Sequence, residues 1–259
     1  VAATGKDPGL TGAVCPFPLI EDGSFALPSA TMLDVDGERL AAHAGREVAL
    51  TIASSRGPAR ADQVVARKAG FLPSPRRILL AAHIDTKVGT PGAIDNAAGV
   101  ACVLAAAERL EGVPLRHTLE LVPFNGEDHY AAPGEVAYLA ANASGLDDVL
   151  LAINVDAAGL RGGATEVSTY GCTEAHSEAV ARCLGRGRRV VAGRPWPQSD
   201  HMVFAMRGVP AVALTTERFE WLTSEVAHTP LDDPSLVDAE LLMEAADFLT
   251  DLVLTLAAA

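Results

Sequence analysis

Arg77-Ile-Leu-Leu-Ala-Ala-His83-Ile-Asp85 decides the fold. The unbroken apolar run from Ile78 to Ala82 is short, and it reads as a strand buried on both faces. Such a strand needs a layer of helices on each side, and the flanking sequence supplies them. Asn96 to Leu110 has a helical pattern in which Ala97, Ala98 and Gly99 allow close packing. His117 to Phe124 alternates like a strand, Glu135 to Asn142 reads as a short helix, and Val149 to Val155 is a further buried strand. Thr173 to Leu184 is helical again, Val209 to Thr215 returns to strand, and Asp238 to Leu256 is a long amphipathic helix. This alternation predicts an α/β protein, a three-layer α/β/α sandwich around a mixed, largely parallel sheet.

Residues 1–58 follow another rhythm. They carry Pro8, Pro16, Pro18, Pro28 and Pro58 among many glycines, with strand-like runs at Ser24–Leu27 and Glu47–Ile52. The reading is a partial β-rich N-terminal segment over 1–58, followed by the main domain over 59–259. The chain begins at Val1 without a basic stretch leading into an apolar one. The expectation is that a leader has been removed or that the start of a longer protein is missing.

The remaining composition narrows the function. Lys and Arg total 20 against 33 Asp and Glu, a net charge of −13. An acidic surface repels phosphate backbones, so nucleic acid is not the expected partner. With 49% hydrophobic and 20% charged residues the chain is no disordered polyelectrolyte. No uncharged apolar run approaches the ~18 residues of a membrane span. The stretch from Asn96 ends at Glu108. The four cysteines form no C-x-x-C pair, and G-x-S-x-G and H-E-x-x-H are both absent. Thiolate zinc sites, serine hydrolases of the elbow type and helix-borne zinc proteases are therefore disfavoured.

Chemistry enters where polar residues interrupt the apolar pattern. His83 and Asp85 close the first buried strand, and Asp95 opens the next helix. Glu127 and Asp128 follow the second strand, Asp156 follows the third, and His228 sits in the loop Ala227-His-Thr-Pro230. Taken singly, each has an ordinary role as a cap, a turn residue, a solvated acid or a core histidine. Together they fall beyond the carboxyl ends of strands, where open α/β sheets place their crevice. Converging carboxylates repel one another unless cations intervene. Histidines and carboxylates without thiolates suit zinc or another borderline divalent ion. In His83-Ile-Asp85 the two polar side chains share a strand face, which suits a ligating imidazole oriented by an acid.

These residues resemble the co-catalytic zinc aminopeptidases of clan MH, a family that includes bacterial leucyl aminopeptidases, glutamate carboxypeptidases and glutaminyl cyclases. The matching blocks are Ala82–Lys87, Thr90–Val100, Phe124–Asp128, Ile153–Asp156, Ser199–His201 and His228–Asp232, in the family's order. The resemblance implies two Zn2+ ions. Asp95 would bridge them, His83 and Asp156 would complete one site, and Asp128 and His228 the other. Glu127 would be the general base acting on a metal-bridging water, and Asp85 the group that orients His83. Asp200 would support the site from behind. In relatives the peptide bond after the bridging aspartate is often cis, an expectation that extends to Asp95–Asn96. The substrate implied is a peptide, and family habit points to secretion or the cell envelope. Residues 1–58 would be the end of a protease-associated insert, with Phe25–Ser29 and Gly37–Leu40 at its close.

Two departures stand out. The family usually has Glu where this chain has Asp128, one methylene shorter. Some relatives place an oxyanion-stabilising Tyr before the Ser-Asp-His block, where this chain has Arg194-Pro-Trp-Pro-Gln198. The leading expectation is a di-zinc aminopeptidase. Its alternatives are a glutaminyl cyclase or carboxypeptidase on the same scaffold, or a non-catalytic interaction domain. His43, His117, His129 and His176 have no expected partner, and Lys87 reads as an exposed neighbour of the site. Oligomeric state is left open.

Overall fold

The computed structural model of the protein describes residues 2–4, 31–53, 58, 60–129, 132–197 and 199–258. Strands β1 (Ala2–Thr4) and β2 (Thr31–Leu33) pair in parallel and lead into helix α1 (Asp34–Ala41). The main sheet comprises β3 (Ala66–Lys68), β4 (Arg77–His83), β5 (Thr118–Phe124), β6 (Val149–Val155), β7 (Thr165–Tyr170), β8 (Val190–Ala192) and β9 (Ala211–Thr216). Their order is β3-β5-β4-β6-β9-β7-β8. The inner strands β5, β4, β6 and β9 run parallel. At the edges β3 is antiparallel to β5, β7 is antiparallel to β9, and β8 is parallel to β7. The sheet is mixed with a parallel centre, as expected.

All seven residues of β4 are buried, and its pleat divides them between two layers. Ile78, Leu80 and Ala82 pack against Cys102 and Val103 of α2 (Ala98–Leu110) and against the C-terminal helix. Leu79 and Ala81 face the other layer, with Tyr138 of α3 (Pro133–Ala141) and the ring of Phe204. Burying each large aliphatic side chain contributes about 1.5–3 kcal/mol. Helix α4 (Glu174–Cys183) starts where Thr173 Oγ1 accepts from the His176 N–H at 3.3 Å. The short α5 (His201–Ala205) carries Phe204, and α6 (Phe219–Trp221) borders the site. Helix α7 (Ala239–Ala258) is capped by Asp238, whose Oδ1 accepts from the N–H groups of Glu240 and Leu241. A side-chain acceptor at such a position satisfies donors that have no intrahelical partner.

Several boundaries differ from the sequence reading. The helix expected from Asn96 starts at Ala98, because Ala93–Ala97 form a wider turn in which Asp95 and Asn96 leave helical dihedrals. The Asp95–Asn96 peptide bond is cis, as the resemblance implied. Asn96 then ties the turn to β6: its Nδ2 donates to the Val155 carbonyl at 2.8 Å and its Oδ1 accepts from the Gly99 N–H at 3.1 Å. A Cβ on Gly99 would lie 2.5 Å from that same carbonyl, so this contact admits only glycine.

Strands β3, β7 and β8 were not anticipated. The first and last are three residues long, and β7 is polar at Thr165, Glu166, Ser168 and Thr169. The strand expected at Glu47–Ile52 is absent. Val48, Leu50 and Ile52 alternate, but they are 64%, 59% and 45% exposed and no strand among the described residues pairs with them. Gly37–Leu40 lies within α1, where Asp36 and Arg39 pair one turn apart at 3.2 Å. The expectations for Ser24–Leu27 and Phe25–Ser29 lie outside the described residues. No helix among the described residues is long and apolar enough to cross a membrane.

Candidate metal centre

The parallel strands β4, β5 and β6 all end at the same edge, and the chain turns polar at each exit. His83 is the last residue of β4, Glu127 and Asp128 lie in the loop after β5, and Asp156 follows β6 directly. Asp95 approaches from the turn before α2, and His228 from the loop beyond Leu222–Val226. His228 (φ 64°), Ala157 (φ 68°) and Ser199 (φ 89°) adopt left-handed backbone at this edge. Such conformations are disfavoured for residues with a Cβ and cluster at functional sites.

Asp95 stands at the middle. Its Oδ1 is 3.0 Å from His83 Nε2, and its Oδ2 is 3.1 Å from His228 Nε2. His83 Nε2 also lies 3.7 Å from Asp156 Oδ1, and His228 Nε2 lies 2.8 Å from Asp128 Oδ1. Two groups of potential ligands result, His83-Asp95-Asp156 and Asp95-Asp128-His228, with Asp95 in both. A third grouping joins His83, Asp85 and Asp128. Asp128 Oδ2 is buried without a hydrogen-bond partner, a position that costs free energy unless a cation or donor meets it. This orphaned oxygen, with an all-nitrogen and oxygen donor set, fits a divalent metal.

The electrostatics follow from this crowding. Burial works against the charged form of His83, but the neighbouring carboxylates of Asp156 and Asp95 outweigh that and raise it well above the ordinary histidine value. For His228 burial is likewise outweighed, by Asp128 and Asp95, and it is raised to about 9. Burial pushes the Asp95 carboxyl up, yet the hydrogen bonds of both imidazoles hold it below the usual carboxylate range. Protons and divalent cations compete for positions of this kind. Glu127 belongs to neither Asp95-centred group. Withdrawal from water, reinforced by Asp156, Asp128 and Glu135, pushes its carboxyl well above the usual range, which is the property of a general base or acid near neutral pH.

Asp85 meets His83 chiefly through its backbone rather than its carboxylate. His83 Nδ1–H donates to the Asp85 carbonyl oxygen at 3.0 Å, while the nearest Asp85 carboxylate oxygen is 3.8 Å away. The carboxylate is committed elsewhere: Oδ1 accepts from the N–H groups of Gly126 and Glu127 at 2.7 and 3.1 Å, and Oδ2 from that of Asp128 at 3.1 Å. Asp85 thus orients the imidazole through its backbone and clamps the Glu127-Asp128 loop with its side chain. His129, left unassigned by the sequence, meets the same carboxylate with Nδ1 at 3.0 Å. Lys87 is not exposed: its side chain is only 10% accessible and its Nζ lies 3.5 Å from Asp128 Oδ1.

Further support comes from Asp232 and His201, which had no expected role, and from Asp200, which was expected to support the site from behind. Asp232 accepts from the N–H groups of Ile94 and Asp95 at 2.7 and 3.0 Å, which fixes the turn that presents Asp95. Asp200 is fully buried, and its carboxyl is pushed well up by burial and then by Glu135. His201 is also fully buried, lowered to about 4 by burial, with Nε2 2.9 Å from the Trp196 carbonyl. Above the acids lies a small recess whose other wall is apolar, formed by Trp196, Phe219, Leu222 and Ala227.

The sequence profile of peptidase family M28 matches residues 63–253. No curated protein matches the chain in sequence. Among solved structures, a zinc aminopeptidase from Bacillus subtilis superposes with a TM-score of 0.62 at 22% identity, covering 74% of this chain and 49% of that one. The LapA aminopeptidase of Legionella pneumophila gives 0.63 at 19% identity over 77% of this chain and 60% of that one. An Acidobacteriales bacterium glutaminyl cyclase gives 0.60 at 18% identity over 75% and 73%. The chain thus spans about half the length of the Bacillus enzyme.

Proposed function

The chain belongs to peptidase family M28, and from that premise we propose that it is a di-zinc metallo-exopeptidase, an aminopeptidase that removes N-terminal residues from peptides. The observation that carries the reading is the position of Asp95, with one carboxylate oxygen facing His83 and the other facing His228. A carboxylate so placed suits two adjacent cations. His83, Asp95 and Asp156 would hold one zinc, and Asp95, Asp128 and His228 the other. Zinc bound there would polarise the scissile carbonyl and acidify a water molecule.

The residues of the chain account for the proton chemistry. Glu127 is free of the Asp95-centred ligand groups and faces the recess. It accepts a proton from the attacking water and returns it to the departing amine. The apolar wall of Trp196, Phe219 and Leu222 is suited to the side chain of the terminal residue.

Product analysis tests this reading. The zinc-loaded protein is incubated with peptides bearing N-terminal Leu or N-terminal Gln, each with a free or acetylated terminus, and the products are read by mass spectrometry. The expected result is stepwise loss of residues from the free N-terminus and none from the acetylated peptides. Pyroglutamate and ammonia from the Gln peptide would favour a cyclase, and loss from the C-terminus a carboxypeptidase. Either outcome overturns the proposal.

Asp85 is a positioning residue in this scheme. Asp85→Ala leaves the N–H groups of Gly126, Glu127 and Asp128 without their acceptor. The expected loss is about 10–100-fold in kcat with a smaller change in KM. Asp85→Asn, which keeps an acceptor oxygen, recovers part of it. Steady-state kinetics on both variants, with zinc content measured alongside, checks this.

A further inference from the structure

Lys87 sits where the rest of its loop does not. Its neighbour Val88 is 86% exposed, whereas the Lys87 side chain turns inward with 10% accessibility. The turn is braced: Thr86 and Thr90 join hydroxyls at 2.8 Å, and Thr90 donates from both Oγ1 (2.9 Å) and N (3.2 Å) to the Lys87 carbonyl. A Cβ on Gly92, which has φ 65°, would lie 2.8 Å from the Thr86 side chain, so the base of the loop closes tightly on it. The inward lysine ends 3.5 Å from Asp128 Oδ1, the oxygen that lies 2.8 Å from His228 Nε2. No comparable ammonium or guanidinium contact to Asp156 occurs among the described residues, so the two ligand groups differ by one cation at close range.

We propose that Lys87 makes the two metal positions unequal, lowering the affinity of the Asp95-Asp128-His228 position while leaving the His83-Asp95-Asp156 position tight. This rests on the di-zinc reading above. An ammonium group beside Asp128 repels a divalent ion arriving at the same carboxylate, and burial weakens the solvent screening that would soften the repulsion. The shorter reach of aspartate adds to the effect, since Asp128 must serve both the lysine and the metal. The consequence is an enzyme with one resident zinc and one that exchanges with the surrounding pool.

The test is a zinc titration of the metal-stripped full chain in competition with a chromophoric chelator, for wild type, Lys87→Met and Lys87→Arg. Wild type should bind in two separated steps. In K87M the weaker step should tighten by about tenfold or more, while K87R, which keeps the charge, stays within about threefold of wild type. Thermal melts of the stripped proteins show whether each variant is folded, and K87Q replaces K87M if the latter is not. Two steps of unchanged affinity in folded K87M or K87Q, or a weaker second step, overturn the inference and leave the di-zinc reading standing. Failure of wild type to bind zinc overturns both.

Discussion

Glu127→Gln is expected to lower kcat by about 10²–10⁴-fold while zinc content and KM stay near wild type. Glutamine matches glutamate in shape, so the loop held by Asp85 through Gly126, Glu127 and Asp128 keeps its hydrogen bonds. What is lost is the ability to take a proton. The carboxyl of Glu127 is pushed well up by its withdrawal from water and by Asp156, Asp128 and Glu135, which brings its proton affinity closer to the working range of a base. Since Glu127 lies in none of the metal-suited groups, metal retention separates loss of the base from collapse of the centre. Stopped assays with elemental analysis on the same preparation check both halves. Turnover within a few-fold of wild type would remove Glu127 from the mechanism.

Asp95→Ala is expected to abolish activity, by about 10³-fold or more, because each proposed zinc position loses one of three protein ligands. The effect should not be rescued by added zinc. Removing this carboxylate also strips His83 and His228 of the acid they share, at 3.0 and 3.1 Å. Chelator treatment of wild type should reproduce the loss reversibly, with activity restored by zinc, and that contrast distinguishes ligand loss from unfolding. An Asp95→Ala protein that recovers wild-type turnover in excess zinc would contradict the bridging role.

Much of this arrangement was legible in the residues themselves. The buried run Ile78–Ala82 required helices on both faces, and α2, α7 and α3 supply them. His83, Asp95, Asp128, Asp156 and His228 all come together because the parallel strands end at one edge, where the sequence turns from apolar to acidic. The features that escaped detection are those set by tertiary context. Lys87 read as exposed because a lone loop lysine is ordinarily solvated, and no sequence pattern marks which residue of a loop turns inward. The Asp85 side chain was assigned to His83 on strand alternation, but β4 ends at His83, so alternation no longer governs Asp85 and its carboxylate meets the loop after β5. Strands β3 and β8 are too short to show a period, and β7 is paired through its backbone to β9 despite its polar residues. Conversely, Val48, Leu50 and Ile52 have the period of a strand and nothing among the described residues to pair with.

On the proposed reading one carboxylate, Asp95, joins two zinc ions in a single peptidase centre. The most direct measurement is the number of zinc ions per chain by native mass spectrometry of the wild-type protein in excess zinc. The prediction is about two, with no more than one on the Asp95→Ala variant. One zinc or none on wild type would contradict it.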